Sequence, residues 1–336
     1  MRPNLHFFRL PNKVSRTMSS SGAAVIAAFA CLNGQAAAAE PDAAKTPTKA
    51  FEVKAIRDVA YYDAADADKV KHKLDLFLPK DQKDFPVVLF VHGGAWRHGD
   101  KNYFGVYSAL GSMFARNGIG AVITNYRLSP EVMHPEHIKD VARAFAWTHK
   151  NIEKYGGRPD QIFVCGHSAG AHLVALLATD ESYLKAEGLG LKDIKGVLPL
   201  SGVYSLPEKF SLALPFAGPK SKVETEPATM MVDRLFDSVF GKDKEKRKEA
   251  FPIAHVKKGL PPFLILYADS DLPDFEKNAE EFAKVLKEKD VKVETMQVAK
   301  RNHLSLIIDA ADDDDPTAIA LRRFIDKQRQ VKKDGK

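Results

Sequence analysis

The 336-residue chain has only two cysteines, two tryptophans and no apolar run long enough to cross a membrane. A bilayer span takes about 20 consecutive apolar residues, and the longest such stretch, Ala23 to Leu32, falls well short. Two cysteines, Cys31 and Cys165, make no disulfide framework, so the fold must be held by its core. There is no Cys/His cluster at metal-ligand spacing, no dinucleotide-binding glycine fingerprint and no phosphate loop. Neither a cofactor nor a metal is therefore expected. No internal repeat is present, which sets solenoids aside. Charge is close to balance, at +6 overall, so nucleic acid is not an expected partner.

What basic surplus exists sits at the front. Residues 1–17 carry Arg2, Arg9, Lys13 and Arg16 and no acid. A short apolar run and then Ala36-Ala37-Ala38-Ala39 follow, the pattern of a secretory signal peptide. Residues 1–39 are expected to be a leader cleaved near Ala39. A mitochondrial-type leader is the alternative, and a lipid anchor at Cys31 fits poorly because Ala28 and Phe29 depart from a lipobox. Removing the four bases of this segment takes the charge from +6 to +2 and leaves Cys165 as the sole cysteine. The mature chain is expected to be exported, periplasmic or secreted, without stable membrane insertion. Its oligomeric state is left open.

Residues 40–50 are polar and rich in Pro and Ala, as in a linker. Strand patterns follow near 53–62 and 72–78. Apolar strands at 86–91, 121–126, 161–165, 197–200, 263–267 and 291–298 then alternate with amphipathic helices at 103–117, 136–154, 169–178, 275–288 and 316–328. Near-continuous apolar strands alternating with helices predict an α/β domain over 51–330, with a mostly parallel sheet covered on both faces. The interval 203–258 breaks the alternation. It is proline-rich and irregular, ends in the charged run Lys242 to Lys248, and is expected to be an inserted cap. Its apolar residues Phe210, Leu212, Leu214, Phe216, Leu235, Phe236 and Phe240 would suit a pocket wall. Asp312 to Asp315 suit a solvated turn that starts the last helix, with a calcium site as the other reading. Residues 331–336 form a basic tail.

Gly166-His167-Ser168-Ala169-Gly170 lies between a strand and a helix, the context a nucleophile elbow requires. The small flanking residues let strand and helix approach, and the serine is left at the carboxyl edge of the sheet. His92-Gly93-Gly94-Ala95-Trp96 directly follows the 86–91 strand. An oxyanion hole needs backbone N–H groups open to a substrate carbonyl. Gly94 and Ala95, with Gly93 as a further possibility, and Ala169 after the nucleophile are the expected donors. His92 is expected to orient this loop rather than carry protons. Trp96 suits either an acyl pocket or the core.

A serine hydroxyl needs a base, and in elbow hydrolases the acid and then the histidine follow it in the chain. His303, in the polar loop after the last strand, is the expected base. His172 is tied to the elbow helix and His255 belongs to the cap. The segment Tyr267-Ala268-Asp269-Ser270-Asp271 offers two acids. Asp271 is preferred because it lies further into the loop, and Asp269 is the alternative; Asp274 suits a helix cap.

These residues carry a family resemblance. The sequence resembles the esterase/lipase branch of the α/β-hydrolases, including hormone-sensitive-lipase-like carboxylesterases, kynurenine formamidases and prenylcysteine methylesterases. HGGAW at 92–96, Gly99-Asp100-Lys101, Asn125-Tyr126-Arg127-Leu128, Asp140, Trp147 and CGHSAGAH at 165–172 each match it, within about residues 70–308. Ala95 departs from the lipase-like members, where a third glycine is common, and is closer to the formamidase and methylesterase members. The resemblance implies an α/β-hydrolase fold with Ser168, Asp271 and His303 as the triad. The expected reaction is hydrolysis of a small-molecule carboxylic ester through an acyl-enzyme. Arylformamidase-type amide hydrolysis is the alternative, less suited to an exported chain. A catalytically silent binding protein on the same fold is a third reading, opposed by the complete triad.

Overall fold

Val87, Leu89 and Val91 face one side of their strand and Val88 and Phe90 the other, and all five are fully buried. That is why the 86–91 run is apolar throughout: side chains alternate across a strand, and here both faces are covered. The computed structural model describes residues 50–206 and 228–330. The predicted leader at 1–39, nearly all of the linker at 40–50 and the tail at 331–336 lie outside the described residues.

Among the described residues, eight strands form one sheet in the order β1-β2-β4-β3-β5-β6-β7-β8. They are β1 (Val53–Ala60), β2 (Lys73–Pro79), β3 (Phe85–Val91), β4 (Gly120–Thr124), β5 (Gly157–His167), β6 (Gly196–Leu200), β7 (Phe263–Ser270) and β8 (Val293–Asn302). β2 runs antiparallel to both β1 and β4, and the remaining pairs are parallel. The sheet is therefore mostly parallel, as the alternation predicts, and the fold is that of the α/β-hydrolases.

Helices α1 (Val106–Arg116), α8 (Ser305–Ile308) and α9 (Pro316–Gln330) pack on the face that carries Val88, Phe90 and Cys165. On the other face lie α2 (Glu136–Asn151), α3 (Ala169–Thr179) and α7 (Phe275–Glu288). A short α4 (Ser182–Ala186), absent from the sequence reading, follows α3. Asp315 Oδ1 accepts the Thr317 N–H at 2.8 Å and so starts α9, as expected of the Asp312–Asp315 turn. Among the described residues no acidic group of metal-binding size forms there.

The interval between β6 and β7 differs from its expected irregularity. Its described second half is helical, with α5 (Ala228–Phe240), α6 (Lys244–Glu249) and a 3₁₀ turn at Pro252–His255. Asp243 caps α6 by accepting the N–H groups of Glu245 and Lys246. The charged run is therefore largely a helix, with its lysines and glutamates exposed and Arg247 buried against Asp237. Phe210, Leu212, Leu214 and Phe216 lie outside the described residues.

Candidate active site

Ser168 stands where β5 ends and α3 begins, at φ 56° and ψ −119°. A non-glycine residue at such angles costs about 1–3 kcal/mol and persists only where its surroundings impose it. Here they do. Ser168 N–H is held by Leu200 O at 2.9 Å, and Ser168 O accepts the His172 N–H at 3.1 Å. A methyl group on Gly170 would lie 2.0 Å from Val91 O, and one on Gly166 would lie 2.4 Å from Gly170 O. Only glycine permits that approach of helix to strands, which is the physical content of the pentapeptide.

The 92–96 loop meets Ser168 from the end of β3. A methyl group on Gly93 would come within 3.2 Å of Ser168 Cβ. Gly94, Ala95 and Trp96 all have positive φ, at 120°, 51° and 57°. Two consecutive left-handed non-glycine residues cost about 1–2 kcal/mol each, so the loop must be tied down. Ser129 N–H donates to Trp96 O at 2.9 Å, and Tyr126 Oη–H donates to His92 O at 3.2 Å. His92 Nδ1–H donates to Gly93 O at 2.7 Å, and its ring stacks on Tyr126, in keeping with an orienting role.

The expected oxyanion donors do not behave alike. Gly93 N–H is directed to Tyr107 Oη at 3.3 Å. Among the described residues, the N–H groups of Gly94, Ala95 and Ala169 bond to nothing. Trp96 is packed in the core, 3% exposed, between His172, Phe236 and Phe240. Of its two expected roles, the geometry is that of a core aromatic rather than a pocket wall. Its indole N–H donates to His172 Nδ1 at 3.2 Å, and His172 Nε2–H donates to Ala250 O at 2.9 Å. This chain joins the 92–96 loop, the elbow helix and the 203–258 interval through one buried imidazole. Nothing in the sequence signalled it beyond the four-residue spacing of His172 from Ser168.

His303 and Asp271 come together. His303 Nδ1 lies 2.7 Å from Asp271 Oδ1. The neutral tautomer that donates from Nδ1 to Asp271 is the one whose Nε2 can accept a proton. Asp269 is elsewhere: exposed, it accepts the N–H groups of Lys300 and Arg301 at 2.7 and 3.0 Å. It holds the loop that carries His303 and does not touch the ring. Asp274 occupies the N-cap position of α7 at φ 67°, but its side chain makes no cap bond. The predicted cap is therefore a matter of backbone only. No hydrogen bond joins Ser168 Oγ to His303 among the described residues.

Two neighbours were missed. Ser201, buried after β6, donates its hydroxyl to Asp271 Oδ2. His167 Nε2–H donates to His303 O at 2.8 Å, fixing that backbone from beneath. Burial opposes ionisation of Asp271, yet His303, Ser201 and the Leu272 N–H hold its carboxyl below the usual range. Burial also lowers the histidines around the site: His92 and His137 to about 4, and His167 and His172 to about 3. Each stays neutral in the folded chain but takes a proton near pH 6.5 once unfolded. Stability is then fully present above pH 6.5 and is lost as pH falls toward 4 to 3, by at most about 1.4 kcal/mol per unit and group. Urea unfolding at pH 7, 5.5 and 4.5 should lose several kcal/mol in total. A flat profile would show that these rings are not buried neutral.

Other motif residues make structural ties. Lys101 reaches Asp75 at 2.8 Å and Asp58 at 2.7 Å. Arg127 grips buried Asp140 with two bonds of 2.8 Å, and His72 adds a third contact at 3.1 Å. They anchor the loops after β3 and β4.

The BD-FAE family profile matches residues 74–286. The chain belongs to the BD-FAE family. That range holds the elbow, the 92–96 loop and Asp271; His303 follows it. Similar curated proteins include esterase LipC of Mycobacterium tuberculosis (strain ATCC 25618 / H37Rv), 33% identical over 208 residues, covering 59% of this chain and 48% of LipC. Kynurenine formamidase of Danio rerio is 26% identical over 260 residues, covering 77% and 78% of the two chains. The chain spans about half or less of the length of the esterases it matches, LipC at 48% and LipM at 41%. Among solved structures, esterase B of Lactobacillus Rhamnosis (HN001) aligns with a TM-score of 0.67 at 21% identity, covering 84% and 89%. This last likeness is one of fold. The resemblance to the esterase/lipase branch, stated from motifs, holds.

Proposed function

We propose that the chain is a serine hydrolase that cleaves a small-molecule carboxylic ester through an acyl-enzyme. The observation that carries this reading is the 2.7 Å pairing of His303 Nδ1 with Asp271 Oδ1 at the sheet edge where Ser168 is thrust out. In this reading His303 Nε2 takes the Ser168 proton as Oγ attacks the ester carbonyl. The oxyanion is received by N–H groups of Gly94, Ala95 and Ala169. Collapse expels the alcohol with a proton from His303, and water, activated by the same ring, releases the acid. Membership of the BD-FAE family and similarity to named esterases support it.

The 203–258 interval acts here as a cap. Of its described residues, Phe240 packs against Trp96 and His172, and Phe236 against Trp96. In this reading the acyl group is short or aromatic rather than a long chain. The test is a panel of p-nitrophenyl esters from C2 to C16, with feruloyl and acetyl-sugar esters and N-formylkynurenine. Turnover should be highest on short or aromatic esters, and faster cleavage of C12–C16 than of C2–C4 esters would overturn the chain-length reading. The formamide substrate tests the second reading, which similarity to a kynurenine formamidase over most of both chains keeps in play.

A further inference from the structure

A cavity of about 660 Å³ opens at the carboxyl edge of β3 and β4, beside the 92–96 loop. Arg97 and His98 line it from the end of that loop, Arg127 to Val132 from the segment after β4, and Asp66 to Lys71 from the turn before β2. Most of its charges are already committed. Arg127 is held by Asp140 and Glu136. Asp68 accepts the N–H groups of Val70 and Lys71 at 2.8 and 2.7 Å, and Asp66 accepts the Tyr62 hydroxyl at 2.6 Å. Glu131 is exposed at the rim.

Arg97 is the exception. Its Nε is buried and has no hydrogen-bond partner, and its guanidinium forms no ion pair among the described residues. A buried guanidinium donor left unpaired costs free energy that a bound acceptor would return. Lys71, half-buried nearby, spends a single bond of 3.2 Å on Gly99 O, and burial lowers its pKa. A partly desolvated ammonium also favours a nearby anion. The cavity thus holds two cations with donors to spare; Asp68 and Glu131 already favour the Lys71 charge, which makes Arg97 the principal donor.

The position matters as much as the charge. Arg97 N–H bonds Gly94 O at 3.1 Å, so its backbone is one turn from the expected oxyanion donors. It is four positions along the chain from Gly93, which lies against Ser168. Even fully extended, four residues reach only about 14 Å, and the turn shortens that. Arg97 is the residue that joins the cavity lining to the 92–96 loop, so a substrate long enough to span both would present a carbonyl to Ser168 and a second group to Arg97.

We propose that this cavity is a subsite for a carboxylate borne by the substrate, received by Arg97 with help from Lys71. This rests on the ester-hydrolase reading for turnover but not for binding, and the experiment separates the two. In the first arm, glutarate is titrated by calorimetry into Ser168→Ala and into Ser168→Ala with Arg97→Met. The Kd should weaken by about 10–100-fold on loss of the guanidinium, the scale of a charge-assisted hydrogen bond. Arg97→Lys should restore part of it. In the second arm, kcat/KM is compared within two matched pairs. p-Nitrophenyl hemiglutarate against p-nitrophenyl butyrate places the carboxylate on the acyl side. 4-Acetoxybenzoate against phenyl acetate places it on the leaving group. The preference for the charged member of one pair should fall by about 10–100-fold in Arg97→Met, mainly through KM. If both members of each pair fall together, Arg97 is structural and the proposal fails. It fails too if glutarate binding is the same with and without Arg97. If no ester is cleaved while glutarate binding still depends on Arg97, the ester reading fails and the subsite stands.

Discussion

Replacing Ser168 with alanine is expected to lower ester turnover by about 10⁴–10⁶-fold, the loss seen when the nucleophile of a serine triad is removed. It should also abolish labelling by a fluorophosphonate probe. The hydroxyl is the atom that would form the acyl bond, and the proposed donors Gly94, Ala95 and Ala169 would act on the carbonyl only after attack begins. Residual rate would come from those donors and from binding alone. The variant should fold. Ser168 makes no side-chain cap bond to α3, and its backbone bonds to Leu200 and His172 do not involve the hydroxyl. The urea midpoint should therefore move little, by about 1 kcal/mol or less. Labelling that survives in a folded Ser168→Ala protein would mean that another serine is the nucleophile.

Asp271→Asn should cost about 10²–10⁴-fold in kcat/KM. In a serine protease of unrelated fold, the same change costs about 10⁴ in kcat because the imidazole is left in the wrong tautomer. Here Asp271 Oδ1 faces His303 Nδ1 at 2.7 Å, while Oδ2 is engaged by Ser201 and by the Ala268 N–H at 3.2 Å. An asparagine that keeps its oxygen toward Ser201 turns its NH₂ toward His303, and the ring must then place its proton on the nitrogen that should receive the serine's. Asp269→Asn should cost under about 10-fold. Its two oxygens each accept one backbone N–H of the 300–301 loop, and asparagine keeps one of those two bonds while leaving the His303–Asp271 pair untouched. Both variants need unfolding curves beside their kinetics, because Asp269 helps hold the loop that carries His303. If Asp269→Asn is inactive while Asp271→Asn is near normal, the acid has been misassigned.

The choice between those two aspartates illustrates how far residue patterns reach. Chain order and loop position narrowed the acid to Asp269 or Asp271, because an acid must follow the strand whose carboxyl end faces the serine. The choice itself depended on which way each side chain leaves the backbone at the end of β7, and alternation along a strand does not carry past its last residue. Trp96 was ambiguous for a similar reason. A tryptophan beside two glycines has no signature of burial, and only the arrival of His172 from α3 and Phe240 from α5 closes it in. The interval 203–258 was the largest difference. Its prolines and charges suggested irregularity, yet the Lys244–Glu249 run is helical because Asp243 caps it, its lysines and glutamates meet water and buried Arg247 is paired with Asp237.

The sequence alone determined the alternation of strands and helices, the burial of both sheet faces, the elbow at Ser168 and the loop at 92–96. Each is a local property. Side-chain period, glycine size and the order of turn residues act within a few positions, and they leave a readable pattern. The tertiary structure decided what depends on distant segments meeting. The antiparallel placement of β2 between β1 and β4, the Ser201 contact to Asp271, the His167 bond to His303 and the unpaired Arg97 beside its cavity all join segments of the chain that its order does not place together. Such contacts are selected by the packing free energy of the whole sheet, and no short stretch of residues encodes them.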